Sequence, residues 1–120
     1  MSSRIVALDH VQLAMPAGRE AAADAFYRDL LGFEVEDKPP HLAARGGRWY
    51  RREGVRVHLG VEAGFQPARK AHPALLVEGL PELVAQLSAA GHEPKWEGDE
   101  QCYVDDPFGN RIELLGASPP

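Results

Sequence analysis

Residues 107–115 read Pro107-Phe108-Gly109-Asn110-Arg111-Ile112-Glu113-Leu114-Leu115. Pro, Gly and Asn form a turn. The residues after it alternate as a strand, with Glu113 between apolar Ile112 and Leu114. A carboxylate in the middle of a half-buried strand needs a partner for its charge. The same design occurs earlier, in Gly54-Val55-Arg56-Val57-His58-Leu59-Gly60, where His58 stands four residues after Gly54, as Glu113 stands four after Gly109.

Working outward, each of these strands closes one half of a repeat. Helical spacing of Ala22, Ala25, Phe26 and Leu30 predicts a helix over 19–31, capped by Gly32. Leu80, Leu83, Val84 and Leu87 predict a second over 81–90, with Pro81 in its first turn and Gly91 at its end. A histidine-bearing segment precedes each: Asp9-His10-Val11-Gln12 and Ala71-His72-Pro73-Ala74. Strands are expected at 5–14, 33–37, 41–45, 48–52, 55–62, 72–78, 92–97, 101–105 and 111–115, those around Gly46-Gly47 being one interrupted strand. The order in each half is β-α-β-β-β. The expected fold class is α+β, as a single domain over 1–120, with module one over about 4–62 and module two over about 72–116.

Composition narrows the function. The 120 residues are 44% apolar and 26% charged, with a net charge of -5. That is ordinary for a globular protein, and no basic stretch is present to track a nucleic acid. Arg45, Arg48, Arg51 and Arg52 are interleaved with Trp49 and Tyr50 and read as the solvated face of a strand. No segment approaches the ~20 apolar residues of a membrane span. Cys102 is the only cysteine, which excludes an internal disulfide and fits a reducing, cytoplasmic setting.

The chemistry concentrates on four residues. Side chains alternate across a strand, so His10, His58 and Glu113 each point away from their apolar neighbours. These neighbours face the helices, and the polar residues share the other face. A divalent cation resolves the cost of placing a carboxylate there. Imidazole and carboxylate together suit zinc, nickel, manganese, cobalt or ferrous iron. Alternatives exist for each residue singly: a core histidine for His10, a loop residue for His72, an ion pair with Arg111 for Glu113. The repeat favours ligation. Gln12 lies on the face of His10 and is a candidate for substrate contact. Trp49, Tyr50, Trp96 and Tyr103 are the candidate pocket aromatics, plain core packing being the alternative for each. Asp105 and Asp106 are expected to shape the turn. Pro67, Arg69 and Lys70 are expected in a connector between the modules.

The chain resembles the vicinal oxygen chelate superfamily, which includes glyoxalase I, bleomycin-resistance proteins, fosfomycin-resistance thiol transferases and extradiol dioxygenases. The resemblance runs from LDHVQLAMP (8–16) through YRDLLGFEVE (27–36), VRVHLGVE (55–62) and AHPALLVEGL (71–80) to YVDDPFGNRIELL (103–115). It implies two βαβββ modules in a cupped mixed sheet, with metal ligands on the first and last strands of each. Carried over, these are His10, His58, His72 and Glu113, holding one divalent ion per site. The position of His58 is typically glutamate in glyoxalase I. A two-histidine, one-carboxylate triad, as in related dioxygenases, is His10, His72 and Glu113, with His58 outside it.

The resemblance further implies a metal-dependent enzyme whose small substrate chelates the ion through neighbouring oxygens. Its chemistry is that of a lyase or isomerase, or of a dioxygenase if the metal is ferrous iron. Glu113 is the candidate catalytic base as well as a ligand. A homodimer with two sites is implied, since one cupped module leaves an edge to be covered. The rival reading is a non-catalytic protein that sequesters a drug or metabolite, as the bleomycin-resistance members do.

Overall fold

The computed structural model describes residues 2–118. The first module comprises β1 (Val11–Met15), α1 (Glu20–Ala23), which continues as a π-helix over Asp24–Leu30, β2 (Glu34–Glu36), the one-turn α2 (Pro40–Ala43), β3 (Arg48–Arg52) and β4 (Val55–Val61). The second comprises β5 (Ala74–Val77), α3 (Leu80–Ala89), β6 (Lys95–Trp96), β7 (Gln101–Asp105) and β8 (Arg111–Gly116). The strands form two four-stranded sheets in the same relative order, β1-β4-β3-β2 and β5-β8-β7-β6. In each, the first and last strands of the module run parallel side by side and the rest are antiparallel. The expected α+β repeat is therefore present, as two separate sheets within one chain rather than one continuous sheet.

Two elements differ from the sequence reading. The strand expected at 41–45 is the helical turn Pro40–Ala43. Pro40 sits in its first turn, where a missing N–H costs nothing and the ring presets φ. Removing that strand leaves three strands after the helix, as the repeat requires. The strand expected at 5–14 begins its ladder only at Val11. Upstream of it Ile5, Val6 and Leu8 are 96%, 78% and 77% exposed, apolar side chains with nothing over them.

One core serves both modules. Val57 and Leu59 of β4, Phe26 and Tyr27 of the π-helix, Leu80 and Leu87 of α3, and Ile112 and Leu114 of β8 belong to a single buried cluster. Truncating such a residue to Ala costs about 2–5 kcal/mol. The module junction is also polar. Asp106, 4% exposed, accepts from the Tyr27 hydroxyl at 2.7 Å, from the N–H groups of Phe108 and Asn110 at 2.9 and 2.8 Å, and from Asn110 Nδ2 at 2.9 Å. Asn110 Nδ2 also donates to the Ala14 carbonyl of β1 at 2.8 Å. Asp106 thus shapes the turn, which Gly109 completes at φ +89°. Because the core lies on the helix side of both sheets, the other face of each sheet is turned away from it. That face carries the chemistry.

Candidate metal-binding site

On the first sheet the outward face is set by register. Gln12 pairs with His58 across the parallel ladder, and Trp49 pairs with His58 across the antiparallel one. The three aromatic rings form a column: Trp49 to His58 at 4.4 Å and 8°, His58 to His10 at 4.1 Å and 17°. Gln12 lies over Gly60, where a Cβ would come 2.6 Å from its Nε2; the glycine is the space the glutamine occupies. His10 Nδ1–H donates to Asp9 Oδ2 at 2.9 Å, and Arg56 pairs with the other Asp9 oxygen at 3.3 Å. The bond from His10 holds the Asp9 carboxyl below its usual range and leaves His10 Nε2 as the free ring nitrogen.

His58 is 7% exposed, and its Nε2 is buried without a partner. An unpaired buried polar atom costs about 1–3 kcal/mol, which the fold carries at this position. Burial, then the neighbouring His10, pushes the His58 pKa down. The ring is therefore neutral, the form that can ligate or hydrogen-bond through Nε2. The stack limits how it does so. A ring nitrogen's lone pair lies in the ring plane, and the planes of two rings stacked with centroids 4.1 Å apart and 17° off parallel do not meet within the ~2.0–2.1 Å reach of a metal–nitrogen bond. As stacked, His10 and His58 do not share one ion.

On the second sheet, Ala74 and Tyr103 flank Glu113 in the ladder, and His72 precedes Ala74 by one alternation. His72 Nδ1–H donates to the Lys70 carbonyl at 2.6 Å, and its Nε2 meets Glu113 Oε1 at 2.9 Å. With both nitrogens donating, the ring is an imidazolium. The Lys70 carbonyl, then the Glu113 carboxylate, raise its pKa. Gln101 Nε2 donates to Glu113 Oε2 at 2.6 Å. The Tyr103 ring stands edge-on to His72 at 5.5 Å, and the Arg111 guanidinium covers it at 4.0 Å. Arg111 is thus committed to Tyr103, and the Glu113–Arg111 ion pair considered from the sequence is not formed among the described residues.

The donors suit a divalent ion. His72 has Nδ1 fixed on a backbone carbonyl, the usual way a ligating imidazole is oriented, which leaves Nε2, beside the Glu113 carboxylate, as the nitrogen for an ion. His10 is fixed through Nδ1 in the same sense. Within one chain, however, the donors come in pairs, His10 with His58 and His72 with Glu113. Among the described residues no group of three or more His, Cys, Asp or Glu side chains is placed to hold a metal.

Two of the expected pocket aromatics are elsewhere. Tyr50 pairs with Val35 and Val57, one residue out of phase with Trp49, and is fully buried in the core. It stacks on Tyr27 at 5.2 Å, and its hydroxyl donates to Asp24 Oδ1 at 2.7 Å. Period-two alternation excludes it from the outward face. Trp96 pairs with buried Cys102, on the helix side, whereas Lys95 pairs with Tyr103. Trp96 lines an open cleft of about 820 Å³ with Arg69, His92, Lys95, Tyr103 and Arg111, and neither His72 nor Glu113 borders that cleft. Gln101 was not singled out from the sequence. Its place two residues before Tyr103 was the available signal, since it puts both on the Glu113 face.

The chain belongs to the glyoxalase-like family of the vicinal oxygen chelate superfamily: the Glyoxalase-like domain pattern matches residues 11–115. Among solved structures it is similar to a protein assigned to the glyoxalase family from Bacillus anthracis, at 41% identity and TM-score 0.89, covering 98% of this chain and 100% of that one. It is also similar in fold to the fosfomycin resistance protein FosX from Listeria monocytogenes, at 17% identity and TM-score 0.76, covering 96% of each chain. A glyoxalase family protein from Enterococcus faecalis aligns at 23% identity and TM-score 0.68, covering 91% of this chain and 96% of that one. No curated protein sequence matched. Among the described residues, no helix is long and apolar enough to cross a membrane.

Proposed function

We propose that this protein is a metal-dependent enzyme of the glyoxalase type, acting on a small substrate with two neighbouring oxygens. The observation that carries the reading is the His72–Glu113 pair, held at 2.9 Å with the second His72 nitrogen fixed on Lys70. His10, His72 and Glu113 are the residues that hold the ion, and His58, stacked on His10, forms part of the pocket wall. When bound, a divalent ion supplies Lewis-acid stabilisation of a developing oxyanion. Glu113 is the base that takes a proton from the substrate carbon, lyase or isomerase chemistry being favoured over dioxygenation. Gln12 and Trp49 on one sheet and Tyr103 on the other contact the substrate. A cytoplasmic setting suits the single buried cysteine.

Each chain offers two half-sites on faces turned away from its core, and we infer a homodimer in which His10 and His58 of one copy face His72 and Glu113 of the other. Exposed Ile5, Val6 and Leu8 before β1, and Leu76 on β5 at 75% exposure, support an apolar contact along these edges. A second reading, sequestration of an aromatic drug or metabolite, draws on the Trp49–His58–His10 column, a flat surface suited to stacking. Elemental analysis of protein purified without chelator decides between them. About one zinc, nickel, manganese, cobalt or iron per chain supports the enzyme; protein that stays metal-free after incubation with each of these ions refutes it.

A further inference from the structure

Glu113 has two oxygens, and each has its own neighbour. Oε1 meets His72 Nε2 at 2.9 Å; Oε2 accepts from Gln101 Nε2 at 2.6 Å. A carboxylate has no proton to give, so it is the nitrogen of the Gln101 amide that faces it. The amide is held in place. Its nitrogen also lies 3.4 Å from the Tyr103 hydroxyl, and the backbone carbonyl of Gln101 accepts from Glu97 N–H at 2.9 Å, which fixes the strand that carries the amide. Gln101 and Tyr103 stand on one face of β7, and Tyr103 is directly across the ladder from Glu113.

We propose that Gln101 is a positioning residue: by holding Glu113 Oε2, it leaves Oε1, the oxygen beside His72 Nε2, as the single oxygen offered to a divalent cation. This rests on the metal-dependent reading above. The chemistry of the donor supports it. An arginine or lysine at this position would hold the carboxylate equally well but cancel its charge. A neutral amide fixes the rotation of the carboxylate and leaves its full negative charge for the cation. A merely structural His72–Glu113 pair has no need of that distinction.

The test titrates full-length metal-free protein with Co(II), following affinity and the visible absorption of the bound ion. Gln101→Leu is expected to lose about 10–100-fold in Co(II) affinity, the usual effect of removing a partner of a ligand. Its cobalt band is expected to weaken, because the released second oxygen joins the coordination shell. Gln101→Met keeps the length and lacks the amide; it gives the same result and stands in if the leucine variant does not fold. If both variants bind Co(II) within twofold of wild type with an unchanged band, Gln101 is structural only. If wild type itself takes up no Co(II), the metal-dependent reading falls and this proposal with it, an outcome visible without any variant.

Discussion

The Tyr27 hydroxyl donates to Asp106 Oδ2 at 2.7 Å, joining the helix of the first module to the turn that opens the last strand of the second. Both residues are buried, and Asp106 satisfies three further donors in that turn. Asp106→Ala strands those groups, whereas Tyr27→Phe removes one bond and keeps the packing. Chemical denaturation should therefore give a loss on the order of 3 kcal/mol or more for Asp106→Ala and about 1 kcal/mol for Tyr27→Phe. Equal losses would mean that the turn does not depend on the carboxylate.

The β-α-β-β-β repeat was legible because its apolar periods and the positions of His10, His72, His58 and Glu113 are local patterns. Alternation alone assigned the outward face for Gln12 and His58, and register sets Trp49 on that same face. The same alternation puts Tyr50 opposite in phase to Trp49 and Gln101 in phase with Tyr103, which aromatic character alone does not reveal. The strand expected at 41–45 failed because Pro39-Pro40 starts a helical turn. The division of the donors into two outward-facing pairs depends on how one module docks on the other. Tyr27, Asp106 and Asn110 make that contact across 79 and more residues, and no local pattern announces it.

His72 should report the metal through a proton. The Lys70 carbonyl and Glu113 raise its pKa above the ordinary 6.5, so in metal-free protein it stays charged above that value. Pairing with Glu113 then stabilises the fold fully below about pH 6.5, where carboxylates are still ionised, and the contribution is lost as pH rises through the raised His72 pKa. A cation must displace the Nε2 proton. Calorimetry in buffers of different ionisation enthalpy should show protons released on binding at pH 6, the number falling towards none at pH 9. A release that does not change with pH would remove His72 from the ligands.

His58 and His10 separate by role. Their rings stack at 4.1 Å, and only His10 has its other nitrogen anchored, on Asp9. His10→Ala should lower metal affinity by about 100-fold or more, while His58→Ala should stay within about tenfold of wild type and raise KM. Isothermal titration with Zn(II) measures the first quantity. A loss at His58 as large as at His10 would make it a ligand, reached by turning one ring out of the stack.

Shared sites predict complementation. Mixed and reannealed, His10→Ala and Glu113→Gln chains form heterodimers in which one site carries both defects and the other carries neither. The mixture should recover roughly a quarter of wild-type metal sites and activity, given random pairing of chains. Sedimentation of the wild type as a monomer at micromolar concentration, or no recovery on mixing, would count against a site built from two copies.

Glu113 divides the enzyme from the sequestering protein. In the proposed enzyme it has two duties, base and ligand, and Glu113→Gln removes the proton acceptor while keeping the size. The screen pairs hemithioacetals of methylglyoxal, catechols, and fosfomycin with thiols against several divalent metals. The enzyme reading expects turnover that needs metal and falls by about 10²–10⁴ in Glu113→Gln, including in samples that still hold the ion. A sequestering protein would instead bind an aromatic ligand in the presence of chelator, tolerate Glu113→Gln, and lose affinity in Trp49→Ala. The fold is common to both activities, so it does not choose between them. What supports the proposed enzyme is the part-buried Glu113 carboxylate, held by His72 at 2.9 Å and Gln101 at 2.6 Å, for which a stacking surface has no use.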